Sequence, residues 1–142
     1  MLAEMKKLLS EKNICVLATL AGSKPYCSLM AYAANEEGNE IYLATHRSTR
    51  KFRNVSENPA VSLMIDTREE APRAQALALT IEGTCAPIAD AAKQHLARTR
   101  LLSAHPHLRE FLAHSDNEIL CVRIQSLLLL KGLSEAHRAL LE

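Results

Sequence analysis

Apolar stretches of strand length run along most of this chain, separated by turns and by short helical patterns. Six of these stretches are predicted to be strands, at residues 14–20, 26–34, 40–45, 60–66, 75–88 and 118–130. Apolar residues at helical spacing predict helices at residues 2–12, 48–58, 91–103 and 106–112. The last segment, residues 131–142, is also predicted to be helical.

Short turns connect the first three predicted strands. Gly22 and Gly38 lie in these turns, so the strands are expected to form antiparallel hairpins. Because helices separate the later strands, we expect a mostly β fold with helices, a six-stranded antiparallel barrel rather than a doubly wound parallel sheet. Gly83 lies inside the fifth predicted strand and indicates a bulge or a bend there.

Length and composition are those of one globular unit. A chain of 142 residues suits a single domain over residues 1–142. No apolar run approaches the ~20 residues of a membrane span, and the first residues lack a signal-type apolar segment, so a cytoplasmic protein is expected. A formal net charge of +1 provides no general basic field that would attract nucleic acid.

The cysteines and histidines do not predict a metal site. The four cysteines are far apart in apolar segments, so we interpret them as reduced core thiols rather than as disulfides or ligands. They are Cys15, Cys27, Cys85 and Cys121. His105 and His107 are too close in sequence to bind one metal well, and we interpret them as capping or surface residues. No metal is therefore expected.

The segment 45–54 is a cationic run that follows an apolar strand. Four Arg or Lys residues and one His fall within eight positions, and no acid interrupts them. Positive charge at a helix N-terminus opposes the helix dipole, whereas free N–H groups there favour an anion. We therefore interpret the run as a phosphate site slightly ahead of a solvated surface, and well ahead of a nucleic-acid site. With only four glycines, the chain has no glycine-rich phosphate loop, so side chains and helix N–H groups would hold the phosphate.

Several motifs follow one another in a distinctive order. They are Lys24-Pro25-Tyr26-Cys27-Ser28-Leu29-Met30, Leu43-Ala44-Thr45, Ser48-Thr49-Arg50-Lys51, Asn58-Pro59 and Glu82-Gly83-Thr84-Cys85. Over about residues 10–130, the chain resembles the pyridoxamine 5′-phosphate oxidase-like family of FMN-binding split barrels. The resemblance implies a split-barrel fold and an FMN cofactor.

The resemblance also implies a set of FMN contacts. Arg50 and Lys51 would bind the FMN phosphate, with Ser48 or Thr49 adding a hydroxyl. The flavin ring and the ribityl chain would be flanked on one side, largely by backbone groups, at Ser28, Leu29, Met30 and Ala31. The other side would be closed by Ala44 and Thr45.

Family members of this kind are usually homodimers, so the resemblance implies a homodimer with FMN at the subunit interface. Arg73 and Gln75 are candidates to complete the pocket, and His46 or Arg47 is a hypothetical neighbour of the flavin. No catalytic residue is assigned. The strand tyrosines are interpreted as core or interface aromatics ahead of proton donors, and Tyr32, close to the expected flavin strand, is the one to test as a donor.

The expected function is that of a flavin-dependent oxidoreductase acting on an unidentified small molecule. The C-terminal pair His137-Arg138 is only a chance-level match to the segment with which pyridoxamine-phosphate oxidase holds its substrate, so that activity is not expected. The alternative is a non-catalytic carrier or sensor that binds haem or flavin on the same barrel.

Overall fold

The computed structural model describes residues 1–141 of the chain. Within that range there are eight strands, β1 (Ile14–Ala21), β2 (Lys24–Ala31), β3 (Ala33–Ala34), β4 (Glu40–His46), β5 (Ala60–Asp66), β6 (Leu77–Pro87), β7 (Asn117–Lys131) and β8 (Glu135–Leu140). The same range contains four α-helices, α1 (Leu2–Glu11), α2 (Arg50–Glu57), α3 (Ala91–Ala104) and α4 (Arg109–Ala113). A 3₁₀ turn at Pro106–Leu108 leads into α4.

The strands form one antiparallel sheet in the order β2-β1-β5-β6-β7-β4-β3. The long strand β7 pairs with β4 along its first half and with β8 along its second half. Strands β2 and β4 approach each other without a hydrogen-bonded ladder. The sheet therefore curls into a split barrel, with the split between β2 and β4.

The predicted fold class is confirmed, and the strand count is corrected from six to eight within the described chain. The predicted second strand, residues 26–34, is interrupted after Ala31, and the short strand β3 follows it. The helix predicted for residues 131–142 is wrong, because residues 135–140 form β8, and residue 142 lies outside the described range. Gly132, with a positive φ of 61°, turns the chain back so that β8 pairs with β7.

Gly83 has the role that its position in the sequence predicts. A bulge lies between Glu82 and Gly83, where the register of β6 against β7 shifts. A Cβ atom at Gly83 would collide with the carbonyl oxygen of Arg123 on β7. The glycine therefore permits the close approach of two strands at the bend of the barrel.

Two hydrophobic clusters lie on opposite sides of the sheet. The larger cluster fills the barrel, where helix α1 contributes Met5 and Leu9 and helix α2 contributes Val55. The second cluster lies between the sheet and α3, and it includes Tyr42 and Leu101. Strand β4 is therefore buried on both faces, with Ile41 and Leu43 in the first cluster and Tyr42 in the second.

Among residues 1–141, no helix has both the length and the apolar character needed to cross a membrane.

The cysteines differ in exposure, although all four are free. Cys15 and Cys85 are buried, and burial raises the pKa of each thiol to about 12. Cys121 is half-buried and Cys27 is exposed. The expectation of four core thiols is therefore wrong for Cys27, whose side chain points out of the barrel because strand β2 alternates between the two faces of the sheet.

Candidate functional site

The start of helix α2 follows β4 directly and is fixed by a small network of hydroxyl groups. Thr49 is the N-cap, and its side-chain oxygen accepts a hydrogen bond from the Phe52 amide at 3.3 Å. The same hydroxyl lies 2.9 Å from the carbonyl of His46 and 2.9 Å from the hydroxyl of buried Thr45. Because one hydroxyl offers a single donor and two lone pairs, Thr49 donates to His46 and accepts from Thr45 and Phe52.

This arrangement distinguishes the two hydroxyls that were predicted to assist a phosphate. The Thr49 hydroxyl has no capacity left for a further ligand, whereas Ser48 is exposed. The Ser48 amide donates to Nδ1 of His46 at 3.0 Å, and the Ser48 hydroxyl lies 2.7 Å from the same nitrogen. Ser48 can therefore turn its hydroxyl toward an incoming anion without breaking the cap of α2.

The cations of α2 have no acidic partner among residues 1–141. Neither Arg50, Lys51 nor Arg53 has a carboxylate within 4.0 Å, and the first turn of the helix contains no acid. Cations at this end oppose the helix dipole by about 0.3–1 kcal/mol each. By contrast, Arg47 lies 3.5 Å from Asp116 and 3.3 Å from Glu118. Within the run 45–54, the positive charge without an acidic partner therefore lies on α2.

Helix α2 is held against β1 and β2 by polar and aromatic contacts. Asn54 is buried, and its side-chain amide donates to the Thr19 hydroxyl at 3.0 Å. The guanidinium of Arg50 lies over the ring of Tyr26, 5.3 Å from the ring centroid. Phe52 and Val55 pack against the barrel core, as their spacing predicts. The cationic end of the helix is therefore fixed beside strand β2.

The predicted residues on β2 divide between its two faces. Ser28 and Met30 are on the same face as Tyr26, and Met30 is buried in the core. Leu29 and Ala31 are on the opposite face, where Leu29 is 76% exposed. The four side chains do not converge on one point, so a ligand along β2 would meet mainly its backbone and the side chain of Ser28.

The predicted residues on β4 divide in the same way. Thr45 is directed toward α2, where its hydroxyl meets Thr49. Ala44 is on the other face of the strand and packs against the cluster beneath α3. The structure therefore brings together Thr45, Thr49, Arg50 and Tyr26 at the split between β2 and β4, and it leaves the Ala44 side chain outside this group.

Other candidate residues have structural partners. Tyr32 is fully buried and its hydroxyl donates to the Leu9 carbonyl at 2.6 Å, and burial raises its pKa above the ordinary range. Buried His105 lies with Nε2 2.9 Å from the Tyr32 carbonyl. Arg73 donates to the Gly132 carbonyl at 2.7 Å. Across residues 1–141, no group of three His, Cys, Asp or Glu residues is arranged for a metal ion.

Two residues of the site have no assigned role in the sequence analysis. Tyr26 occurs in the hairpin motif, but nothing in the sequence pairs it with Arg50. Asn54 lies on the buried side of α2, next to Val55. In the sequence, its burial is indicated only by its position beside this apolar residue. Both contacts join residues that are far apart in the chain, so the sequence pattern does not predict them.

The fold and the site define a split-barrel protein whose cationic helix start is adjacent to the split. The family model described as pyridoxamine 5′-phosphate oxidase matches residues 1–129, and the chain belongs to this family. The resemblance found in the sequence is thereby confirmed. Among curated proteins, none matches the chain.

Solved structures share the fold at low sequence identity. A haem-binding protein from Mycobacterium smegmatis is 21% identical with a TM-score of 0.86, over 96% of this chain and 56% of that one. ChuZ from Campylobacter jejuni is 15% identical with a TM-score of 0.83, and the match covers 96% of this chain and 58% of ChuZ. A FAD-binding protein from Mesorhizobium loti is 17% identical with a TM-score of 0.74, and the match covers 89% of this chain and 91% of that protein. The chain thus spans little more than half the length of the first two proteins.

Proposed function

We propose that this protein binds FMN and holds the FMN phosphate at the start of α2. The observation that carries the proposal is the unpaired charge of Arg50 and Lys51 at a helix N-terminus, within a chain that belongs to the pyridoxamine 5′-phosphate oxidase family. A doubly charged phosphate would neutralise both cations and would align favourably with the helix dipole.

The donors at this position fit a phosphate group. Within the described chain, the amides of Arg50 and Lys51 have no acceptor, because the first bond of the helix runs from the Arg53 amide to the Thr49 carbonyl. In the proposed complex these two amides, the Lys51 ammonium, the Arg50 guanidinium and the Ser48 hydroxyl would donate to the phosphate oxygens. Charge-assisted hydrogen bonds of this kind contribute about 1.5–3 kcal/mol each.

The split between β2 and β4 is the proposed place for the flavin ring and the ribityl chain. On the β2 side, the backbone of Ser28, Leu29, Met30 and Ala31 would flank the ring, and Ser28 offers a hydroxyl. On the β4 side, Thr45 faces α2, and Ala44 would contribute its backbone. Tyr26 would keep the Arg50 guanidinium at the end of the split nearest the phosphate.

We propose that the protein with FMN bound is a flavin-dependent oxidoreductase acting on an unidentified small molecule. FMN supplies the hydride or electron chemistry, and the residues of the chain bind and orient it. A homodimer with the flavin at the subunit interface agrees with the family. A cytoplasmic location agrees with the exposed free thiol of Cys27, which an oxidising compartment would modify.

The test is a fluorescence titration of the purified protein with FMN. Arg50→Ala and Lys51→Ala should each weaken FMN binding by about tenfold or more. Arg53→Ala is the matched control, because Arg53 is an exposed cation on the same helix beyond its first residues, and it should change the affinity by less than about threefold. Full FMN affinity in both of the first two variants would contradict the proposed site.

A haem-binding carrier or sensor without turnover is the second candidate. It is favoured by the structural similarity to the haem-binding protein of Mycobacterium smegmatis, with a TM-score of 0.86. The absorbance spectrum of the purified protein separates the two cofactors, since haem and flavin absorb at different wavelengths. Reduction assays with NADH and NADPH then separate an oxidoreductase from a carrier, because a carrier binds stoichiometric cofactor and shows no turnover.

A further inference from the structure

His46, the last residue of β4, engages both polar hydrogens of Ser48. Its Nδ1 accepts a hydrogen bond from the Ser48 amide at 3.0 Å, and the Ser48 hydroxyl lies 2.7 Å from the same nitrogen. An imidazole nitrogen that accepts from an N–H group has a free lone pair, so Nδ1 carries no proton in this arrangement. The ring is therefore neutral, with its proton on Nε2.

The other nitrogen of the His46 ring faces a carboxylate. Its Nε2 lies 3.9 Å from Oδ2 of Asp116, the residue immediately before β7. The same carboxylate lies 3.5 Å from Arg47 and 3.9 Å from Nδ1 of His114. A carboxylate beside an imidazole favours the protonated form of the ring. His46 is thus placed to accept a proton on Nδ1 when negative charge is added nearby.

Other charged or titratable groups near His46 belong to the elements next to the end of β4. Cations on α2 and α3 oppose protonation of the ring, whereas an acid on β7 favours it. These groups are Arg50 and Lys51 on α2, His95 and Arg98 on α3, and Glu118 on β7. A phosphate dianion at the start of α2 would neutralise the nearest cations and would therefore favour the protonated ring.

We propose that His46 is a positioning residue for the FMN phosphate and takes up one proton from solvent when the phosphate binds. This inference rests on the proposed function and specifies how the site responds to pH. With a proton on Nδ1, the ring stops accepting from the Ser48 amide and donates to the Ser48 oxygen instead. The amide and the hydroxyl hydrogen of Ser48 are then both free to donate to the phosphate.

Isothermal titration with FMN in buffers of different ionisation enthalpy counts the protons that binding takes up. At about pH 7.5 the unsubstituted protein should take up at least about 0.3 of a proton per FMN, because imidazole groups exchange protons in this range. His46→Asn is the matched variant. Its Oδ1 occupies the same position along the side chain as Nδ1 of histidine and can accept from the Ser48 amide, but it gains no proton. This variant should bind FMN without proton uptake.

The pH dependence of the affinity gives a second readout. Binding that takes up a proton weakens as the pH rises, so the FMN affinity of the unsubstituted protein should fall at least about threefold between about pH 6.5 and about pH 8.5. The phosphate stays a dianion over this range, because its second ionisation occurs near about pH 6. The affinity of His46→Asn should change by less than about twofold and should equal that of the unsubstituted protein at the higher pH. A purely structural role of His46 would instead separate the two proteins equally at every pH.

Two controls locate the proton. His114→Asn removes the other histidine beside Asp116 and should leave the proton uptake unchanged. Riboflavin lacks the phosphate and should bind without proton uptake. FMN binding with no proton uptake, or an uptake that persists in His46→Asn, would overturn this inference and leave the proposed function intact. Absence of FMN binding in the unsubstituted protein would contradict both.

Discussion

The guanidinium of Arg50 lies 5.3 Å from the centroid of the Tyr26 ring, so a cation of helix α2 is stacked on a residue of strand β2. Such a contact contributes about 0.5–1 kcal/mol at an exposed site. It orients the guanidinium before any ligand arrives. The cationic end of α2 is thereby fixed beside the split of the barrel, which is where the proposed flavin would lie.

Loss of the Tyr26 ring should weaken FMN binding modestly. We expect Tyr26→Leu to reduce the affinity about two- to fivefold, because the Arg50 guanidinium loses its support. Tyr26→Phe keeps the aromatic face and should bind FMN almost as well as the unsubstituted protein. Fluorescence titration of both variants measures the difference, and equal affinities for Tyr26→Leu and Tyr26→Phe would show that the stacking has no role in binding.

Asn54 should be important for stability. Asn54→Ala leaves the Thr19 hydroxyl in the core without its donor, so the free energy of unfolding should fall by about 1–3 kcal/mol. Ser56→Ala is the control on the same helix, since its exposed hydroxyl bonds only the Phe52 carbonyl. Urea unfolding measures both changes. A double-mutant cycle with Thr19→Val should show coupling, and strict additivity would contradict a direct interaction.

Ionisation of Glu40 should make the free energy of unfolding depend on pH below 4.5, the ordinary pKa of a glutamate. Partial burial opposes ionisation of Glu40, but hydrogen bonds from Lys93 and Tyr42 and the Lys93 charge outweigh it, so its pKa is lowered in the folded state. A lowered folded pKa stabilises the protein above the unfolded pKa, and this contribution is lost as pH falls through the folded pKa. Glu40→Gln should therefore cost on the order of 1 kcal/mol at neutral pH.

The difference between Glu40→Gln and the unsubstituted protein should shrink as the pH falls below 4.5, the ordinary pKa of a glutamate. Urea unfolding at neutral pH and at about pH 3 measures it. A difference that stayed constant over this range would mean that the Glu40 charge does not carry the effect.

The four cysteines should react at different rates with a thiol reagent. Cys27 is exposed and should be labelled first in the native protein. Cys15 and Cys85 should react only after unfolding, because burial shields them and raises each pKa to about 12. Peptide mapping after timed labelling identifies the sites, and Cys27→Ser should remove the fast phase. Rapid labelling of Cys15 in the native protein would contradict its burial.

Much of the fold was predictable because local patterns and tertiary pairing agree. Strand β5 occupies the predicted residues 60–66, and α2 lies within the predicted residues 48–58, before Pro59. The C-terminal segment was not predictable from local pattern. Its residues favour a helix on their own, but Gly132 reverses the chain and the edge of β7 provides strand partners for β8.

The candidate site was predictable only in part. Arg50 and Lys51 could be proposed from the cationic run alone, since charge is visible in the sequence. The choice between Ser48 and Thr49 depends on which hydroxyl is already saturated by hydrogen bonds, and this requires coordinates. The Tyr26 contact depends on the spatial approach of a strand and a helix that are separated along the chain.

The central claim is that the start of α2 holds the phosphate of FMN, and a comparison of FMN with riboflavin tests it most directly. Riboflavin has the same ring and lacks the phosphate. Isothermal titration of the unsubstituted protein should give an affinity for FMN at least about tenfold higher than for riboflavin, and Arg50→Ala with Lys51→Ala should abolish this preference. Equal affinities for FMN and riboflavin in the unsubstituted protein would contradict the account.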